Sequence, residues 1–177
     1  MGYHHGDLRR TLLTAAAEAI AETGPAALSL RDLARRAGVS HAAPAHHFGD
    51  KLGLLTALAA EGYELLADAL TAADGDILDA GVAYIRFATE HPAHFEVMFH
   101  PTLYREDEVG SARERSAAAL SGGLAGRPAE ELGPDPELTG LAAWSLVHGF
   151  ATLALAGNLP PEVVEDPRRV IRLLFEK

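Results

Sequence analysis

The residues best suited to chemistry gather in one short stretch, SHAAPAHHFGDK, running from Ser40 to Lys51. His41, His46 and His47 offer imidazole nitrogens that can ligate a metal, move a proton or hydrogen-bond an anion, and Lys51 adds a permanent cation. A metal is not expected, because no pair of these histidines four residues apart comes with a carboxylate as third ligand. An anionic oxygen suits the set better. Lys51 follows Asp50 at what reads as a helix N-terminus, where free backbone N–H groups also favour negative charge.

A second set lies downstream. Trp144 and His148 are one helical turn apart on a common face, and Tyr84, Phe87, Phe95, Met98 and Phe99 supply apolar surface. Apolar walls with one polar handle are the ordinary makeup of a small-molecule site, yet a core Trp beside a hydrogen-bonded core His gives the same pattern. Sequence leaves both readings open. A third set, His94, Glu96, His100 and His148, holds the ingredients of an acid–base pair. It lacks an ordered nucleophile, base and oxyanion donor, and the chain has neither a Gly-rich phosphate loop nor a G-x-S-x-G elbow, so no enzyme activity and no cofactor are expected.

Helices must position these groups. Leu8, Leu12, Ala16 and Ile20 repeat at helical spacing after a candidate cap at Asp7, until Thr23-Gly24-Pro25 stops them. Ser29, with Asp32 three residues on, opens a second helix whose apolar face is Leu30, Leu33, Ala34 and Ala37; Gly38 ends it in a left-handed cap. Ser40 then caps a short third helix and Asp50 a long fourth one. On that register Pro44 is the fourth helical residue and gives up one intrahelical bond, which distorts the first turn. Further helices are expected over 76–90, 93–100, 106–125, 137–157 and 162–176, with a Gly/Pro-rich link from Gly126 to Pro136. No alternating strand pattern occurs, so the fold class is all-α.

The pattern SLRDLARRAGVSHAAPAHHF has the logic of a helix-turn-helix. The first helix is anchored by Leu30, Leu33 and Ala34, Gly38 makes the turn and Val39 plugs it. The next helix is poor in core residues and therefore free to lie in a major groove. Of Arg35 and Arg36, one is expected on the surface and one facing the DNA backbone.

Composition sets bounds on this reading. The absence of cysteine excludes disulfides and thiolate metal sites and fits a reducing compartment. The net charge of -10 is unevenly spread. Residues 1–63 carry six basic and six acidic groups with five of the nine histidines, so all the net acidity falls in 64–177. A neutral, His-rich front can still meet a polyanion, because local charge sets the field there. No apolar run long enough to span a bilayer and no signal-peptide core are read from the sequence, so a cytoplasmic protein without a membrane partner is expected.

From Leu8 to Leu58 the residues resemble the TetR-type transcriptional regulators: the spacing from Ser29 through AGVS to HHF, and the DK that opens helix four, fall in register together. The resemblance implies a three-helix DNA-binding head over residues 1–50 and a helical ligand-binding and dimerisation domain over 51–177. It implies phosphate contacts from His47 and Lys51, within a DNA-facing set of Ser29, Arg31, Ser40, His41, Ala42, Ala43, His46, His47 and Lys51. Alanine stands at position 45, where the family has a tyrosine that also reaches the DNA backbone. The segments AYIRFATEHPAHFEVMF and WSLVHGFATLAL, with Trp144, His148 and Gly149 in spacing, resemble a WHG-type ligand domain. In such proteins the last two helices build a homodimer, and an effector bound in the second domain weakens binding to a double-stranded operator. A helical module that binds only small molecules or protein is the alternative, and it leaves the coreless third helix without a purpose.

Overall fold

A computed structural model of the chain describes residues 5–73, 77–125 and 134–175. Among the described residues every regular element is helical. Helix α1 spans His5–Ala27, α2 Leu30–Arg36, α3 Ala43–Phe48 and α4 Lys51–Ala72. Then come α5 (Ile77–Glu90), α6 (Pro92–Met98), two single 3₁₀ turns, α7 (Gly110–Ala125), α8 (Pro136–Leu155), α9 (Pro161–Glu165) and α10 (Arg168–Phe175). The expected link falls largely outside the described residues.

Local chemistry explains most boundaries. The helical run of α1 is broken at Gly24, whose φ of 77° lies in the left-handed region, just before Pro25. Ser29 caps α2, its hydroxyl accepting from the Asp32 amide at 3.5 Å. Gly38 closes α2 with φ 65°, and the Val39 amide returns to the Ala34 carbonyl at 3.0 Å. Asp50 caps α4, accepting from the Gly53 amide at 2.7 Å, and Asp135 caps α8, accepting from Leu138 at 3.0 Å.

Elsewhere the structure departs from expectation. Helix α1 has already begun at His5, so Asp7 lies inside its first turn. Helix α3 begins at Ala43 without a side-chain cap; Ser40 contributes only its carbonyl, which accepts from Ala43 at 3.0 Å. The reason is Pro44. With the helix started at Ala43, its missing N–H falls among the first-turn groups that have no intrahelical acceptor, and nothing is lost. Pro44 is also buried, giving α3 a core contact that the register from Ser40 concealed. The helix expected from residue 106 starts at Gly110, after the 3₁₀ turns Pro101–Leu103 and Glu106–Glu108. The helix expected over 162–176 is split into α9 and α10 at Asp166–Pro167, as the proline's missing donor and its effect on the preceding residue require. Finally, α8 carries Glu137 as its only charge and is long and apolar enough to cross a membrane by length and composition. That corrects the expectation that no such run exists.

The chain forms two compact units, and the division is not at residue 50. The first comprises Met1–Gly62 and Pro92–Gly110, the second Tyr63–His91 and Ser111–Lys177. The first unit's core is built by Leu12, Leu13 and Ile20 of α1, Leu33 of α2, Leu54 and Leu58 of α4, and Phe95, Val97 and Met98 of α6. The second packs α5 against α8 and α10 around Tyr84, Ile85, Phe87, Val147 and Ile171.

Candidate nucleic-acid interface and effector site

The turn after Gly38 delivers Ser40, His41 and Ala42 to solvent, and α3 then presents Ala45 and His46 as exposed side chains, with Ala43 and His47 half-buried. Pro44 and Phe48 point the other way, into the core. The His46 and His47 rings meet edge-on, with centroids 5.6 Å apart. Helix α3 is therefore fastened by two residues and leaves a polar, cationisable face outside. Ser29 and Arg31, at the start of α2, are half-buried and exposed respectively. Each of the two basic residues that end α2 has a carboxylate partner. Arg35 pairs with Asp32 in its own helix, and Arg36 grips Glu22 of α1 with two hydrogen bonds, of 2.7 and 3.1 Å. That hydrogen-bonded guanidinium holds the Glu22 carboxyl below the usual range.

Lys51 has a structural partner in addition to any anion: its amine donates to the Ala26 carbonyl at 2.9 Å, tying the start of α4 to the end of α1. An ammonium has three donors, so one such bond leaves two for solvent or phosphate. Two further cations here were missed in the sequence. The Arg9 guanidinium lies over the Phe48 ring, 5.4 Å from its centroid. Arg105, in the loop after α6, bonds both carboxylate oxygens of Asp50, at 2.9 and 3.1 Å. The Gly53 amide first, and Arg105 after it, hold the Asp50 carboxyl below the ordinary aspartate range. A helical pattern gave no signal for Arg9, which faces Phe48 across a separation only the fold closes; nor for Arg105, 55 residues from its partner.

The expected effector set is divided between the two units. Phe95, Met98 and Phe99 belong to the first. Phe95 and Met98 are buried, and the Phe95 and Phe99 rings stand 4.9 Å apart, so these three act in that unit's core. Tyr84, Phe87, Trp144 and His148 lie in the second unit. Tyr84 is 0% exposed and joins the other polar pair: Trp144 Nε1 donates to its hydroxyl at 3.2 Å, and the hydroxyl lies 2.9 Å from His148 Nδ1. With Tyr84 donating, His148 carries its proton on Nε2. Burial pushes the Tyr84 phenol well above its ordinary range and pushes His148 down.

Trp144 also borders an apolar cavity of about 30 Å³, shared with Gly81, Val147 and Ile171. That is room for about one water and far below the several hundred Å³ of a small-molecule site. A larger groove, of about 650 Å³, runs along α5 between α4 and the α9–α10 connection; Phe87 contributes to it with Leu65, Val82, Arg86 and Glu90. Of the residues considered for acid–base work, His94 faces Glu61 at 3.0 Å and His100 bonds the Glu96 carbonyl at 2.6 Å, each committed to a structural contact.

A head in which a capped helix, a glycine turn and a solvent-facing second helix follow in order defines a helix-turn-helix protein. Residues 12–58 match the bacterial regulatory proteins of the tetR family, and residues 77–177 match the tetracyclin repressor-like C-terminal domain. Over the full length of both chains, the protein is 34% identical to a protein of unknown function from Rhodococcus sp. RHA1, with a TM-score of 0.78. It shares its fold with a bacterial regulatory protein of the tetR family from Rhodococcus RHA1 (23% identity, 96% and 93% of the two chains, TM-score 0.74). A tetR-family transcriptional regulator from Streptomyces coelicolor has the same fold (23% identity, 97% and 79% of the two chains, TM-score 0.71). No match was found among curated proteins. The chain belongs to the TetR family and is a DNA-binding transcriptional regulator.

Proposed function

We propose that this regulator is a repressor that binds a near-palindromic operator as a homodimer and is released by a small molecule, with no catalytic activity of its own. The observation that carries the DNA-binding half is the outward face of the turn and α3, where Ser40, His41 and Ala42 of the turn and His46 of the helix are exposed while Pro44 and Phe48 reach the core. In this reading Ser40, His41, Ala42, Ala43 and His46 meet the groove. Ser29, Arg31, His47 and Lys51 hold phosphates, which fixes register without carrying base information.

Dimerisation is supported by the exposed leucines of α8 and α10. Leu138 is 60% exposed, Leu141 53% and Leu173 78%, apolar surface that a partner subunit would cover. The same surface gives a soluble use for the span-length helix α8. The α5 groove is of effector size, and helix α4, unbroken from Lys51 to Ala72, carries residues of both units. An effector that fits one setting of α4 better than another would shift the DNA-bound population, and about 1–3 kcal/mol of coupling gives a 5–150-fold change in affinity. Footprinting on bound genomic fragments tests the reading. Paired half-sites about 34–36 Å apart, or a multiple of that, are expected. A single unrepeated half-site protected at full affinity refutes the dimer.

A further inference from the structure

Asp50 is misplaced for a DNA-binding surface. Its carboxylate is exposed, adjacent to Lys51 and three residues after His47, where a phosphate would approach. The helix needs it there, because it caps α4 through the Gly53 amide. A bare carboxylate at that position repels the polyanion that Lys51 attracts.

We propose that Arg105 is a determinant of DNA affinity that acts by masking this carboxylate, a role that rests on the DNA-binding reading of α3 and the α4 N-terminus. Arg105 comes from the loop between α6 and α7, in the part of the chain downstream of the sequence's apparent head, yet it belongs to the first unit. One nitrogen of its guanidinium, Nη2, reaches both oxygens of Asp50, and its Nε also lies 3.6 Å from Glu108 Oε1. The pair is held in place by its surroundings. The Arg105 amide donates to Thr56 Oγ1 at 3.1 Å, Thr56 is buried and bonds the Leu52 carbonyl, and the preceding Tyr104 is buried with its hydroxyl on the Met98 carbonyl at 3.0 Å. The chain entering Arg105 is thus tied to α4 and α6, which sets the side chain beside Asp50. Without Arg105, the Asp50 carboxylate beside Lys51 stands uncompensated. Arg105 itself need not touch DNA; it is a positioning and charge-masking residue.

The test uses the full chain and a labelled duplex of arbitrary sequence, with binding followed by anisotropy from about 20 to 200 mM salt, the range over which phosphate contacts show. Arg105→Gln should bind roughly threefold to tenfold more weakly at the low-salt end, with the gap closing as the Debye length shrinks. Arg105→Lys keeps the charge and should bind nearly as the wild type does. Asp50→Asn/Arg105→Gln retains a competent cap and should recover most of the loss. Recovery by both routes is what masking requires. Wild-type affinity in Arg105→Gln overturns the proposal, and so does a loss that persists in the double variant and in Arg105→Lys, which would make the Asp50–Arg105 pair a structural tie. Should Arg105→Gln not fold, as judged by its melt, Arg105→Lys and the double variant still decide between these outcomes. If the wild type binds no duplex at any salt, the DNA-binding reading fails first, a result distinct from equal binding by wild type and variant.

Discussion

His46 and His148 are the same side chain put to opposite uses. His46 stands exposed on α3 beside His47, while His148 is half-buried on α8 against a fully buried tyrosine. What separates them is the neighbourhood supplied by the chain. Around His46 there are alanines and a proline, too small to cover it; beside His148 the Trp144 ring packs on one side and the Tyr84 hydroxyl meets its Nδ1. An exposed polar group keeps its hydration until a partner arrives, whereas an enclosed one must be satisfied internally or cost about 1–3 kcal/mol. Changes on the first face should therefore register in binding, and changes on the second in stability.

The largest effect should come from the enclosed side. Trp144→Ala should cost about 3 kcal/mol, the low end for a large aromatic because Trp144 is only half-buried, and the loss should appear in the thermal melt. A variant that melts like the wild type but no longer responds to an effector would reverse the comparison and make Trp144 a binding wall. Tyr84→Phe should cost about 0.5–1.5 kcal/mol per bond, since one deleted hydroxyl removes the bonds to both the Trp144 N–H and the His148 nitrogen.

A pH series sharpens the same point. Burial lowers the His148 pKa, so the unfolded chain binds that proton more readily than the folded one. The stability linked to it is fully present above about pH 6.5 and is lost as pH falls toward the folded-state value. Melts of His148→Asn should lack this component.

On the exposed side, Lys51→Ala should weaken binding by roughly 1 kcal/mol for every DNA sequence and reduce the salt slope by about one ion per chain. A melt beside it accounts for the bond to Ala26. A change in base preference with an unaltered salt slope would place Lys51 over bases instead. The smallest effect is a gain. Ala45 is exposed, so a tyrosine there has room, and Ala45→Tyr should tighten operator and non-operator binding alike by about 0.5–1.5 kcal/mol. If it instead switches the preferred operator, residue 45 faces bases.

The helices and the helix-turn-helix were legible because their signals are local: the Ser29 and Asp50 caps, the Gly38 turn and the spacing of Leu30, Leu33 and Ala34. The start of α3 was misread because Ser40 looks like a cap, and only the placement of Pro44 in the core reveals that the helix waits until Ala43. Asp166–Pro167 was a readable break that the apolar pattern around it obscured. The polar group of Tyr84, Trp144 and His148 was half visible. Trp144 and His148 share a face, but Tyr84 meets them across 60 and 64 residues, a pairing that periodicity does not encode. The assignment of α6 to the first unit, and with it the placing of Phe95, Met98 and Arg105, rests wholly on long-range packing.

That assignment bears on how the protein is made. The first unit is completed by Pro92–Gly110, so a ribosome that has released the helix-turn-helix has not yet supplied α6 or the loop that fastens Asp50. At about 5–20 residues per second, several seconds of synthesis separate the recognition helix from the segment that closes its own core. During that interval the α1 face that α6 covers is bare, which makes the nascent head a natural client for holdases, and an unsuitable cassette to exchange between regulators by cutting after α3.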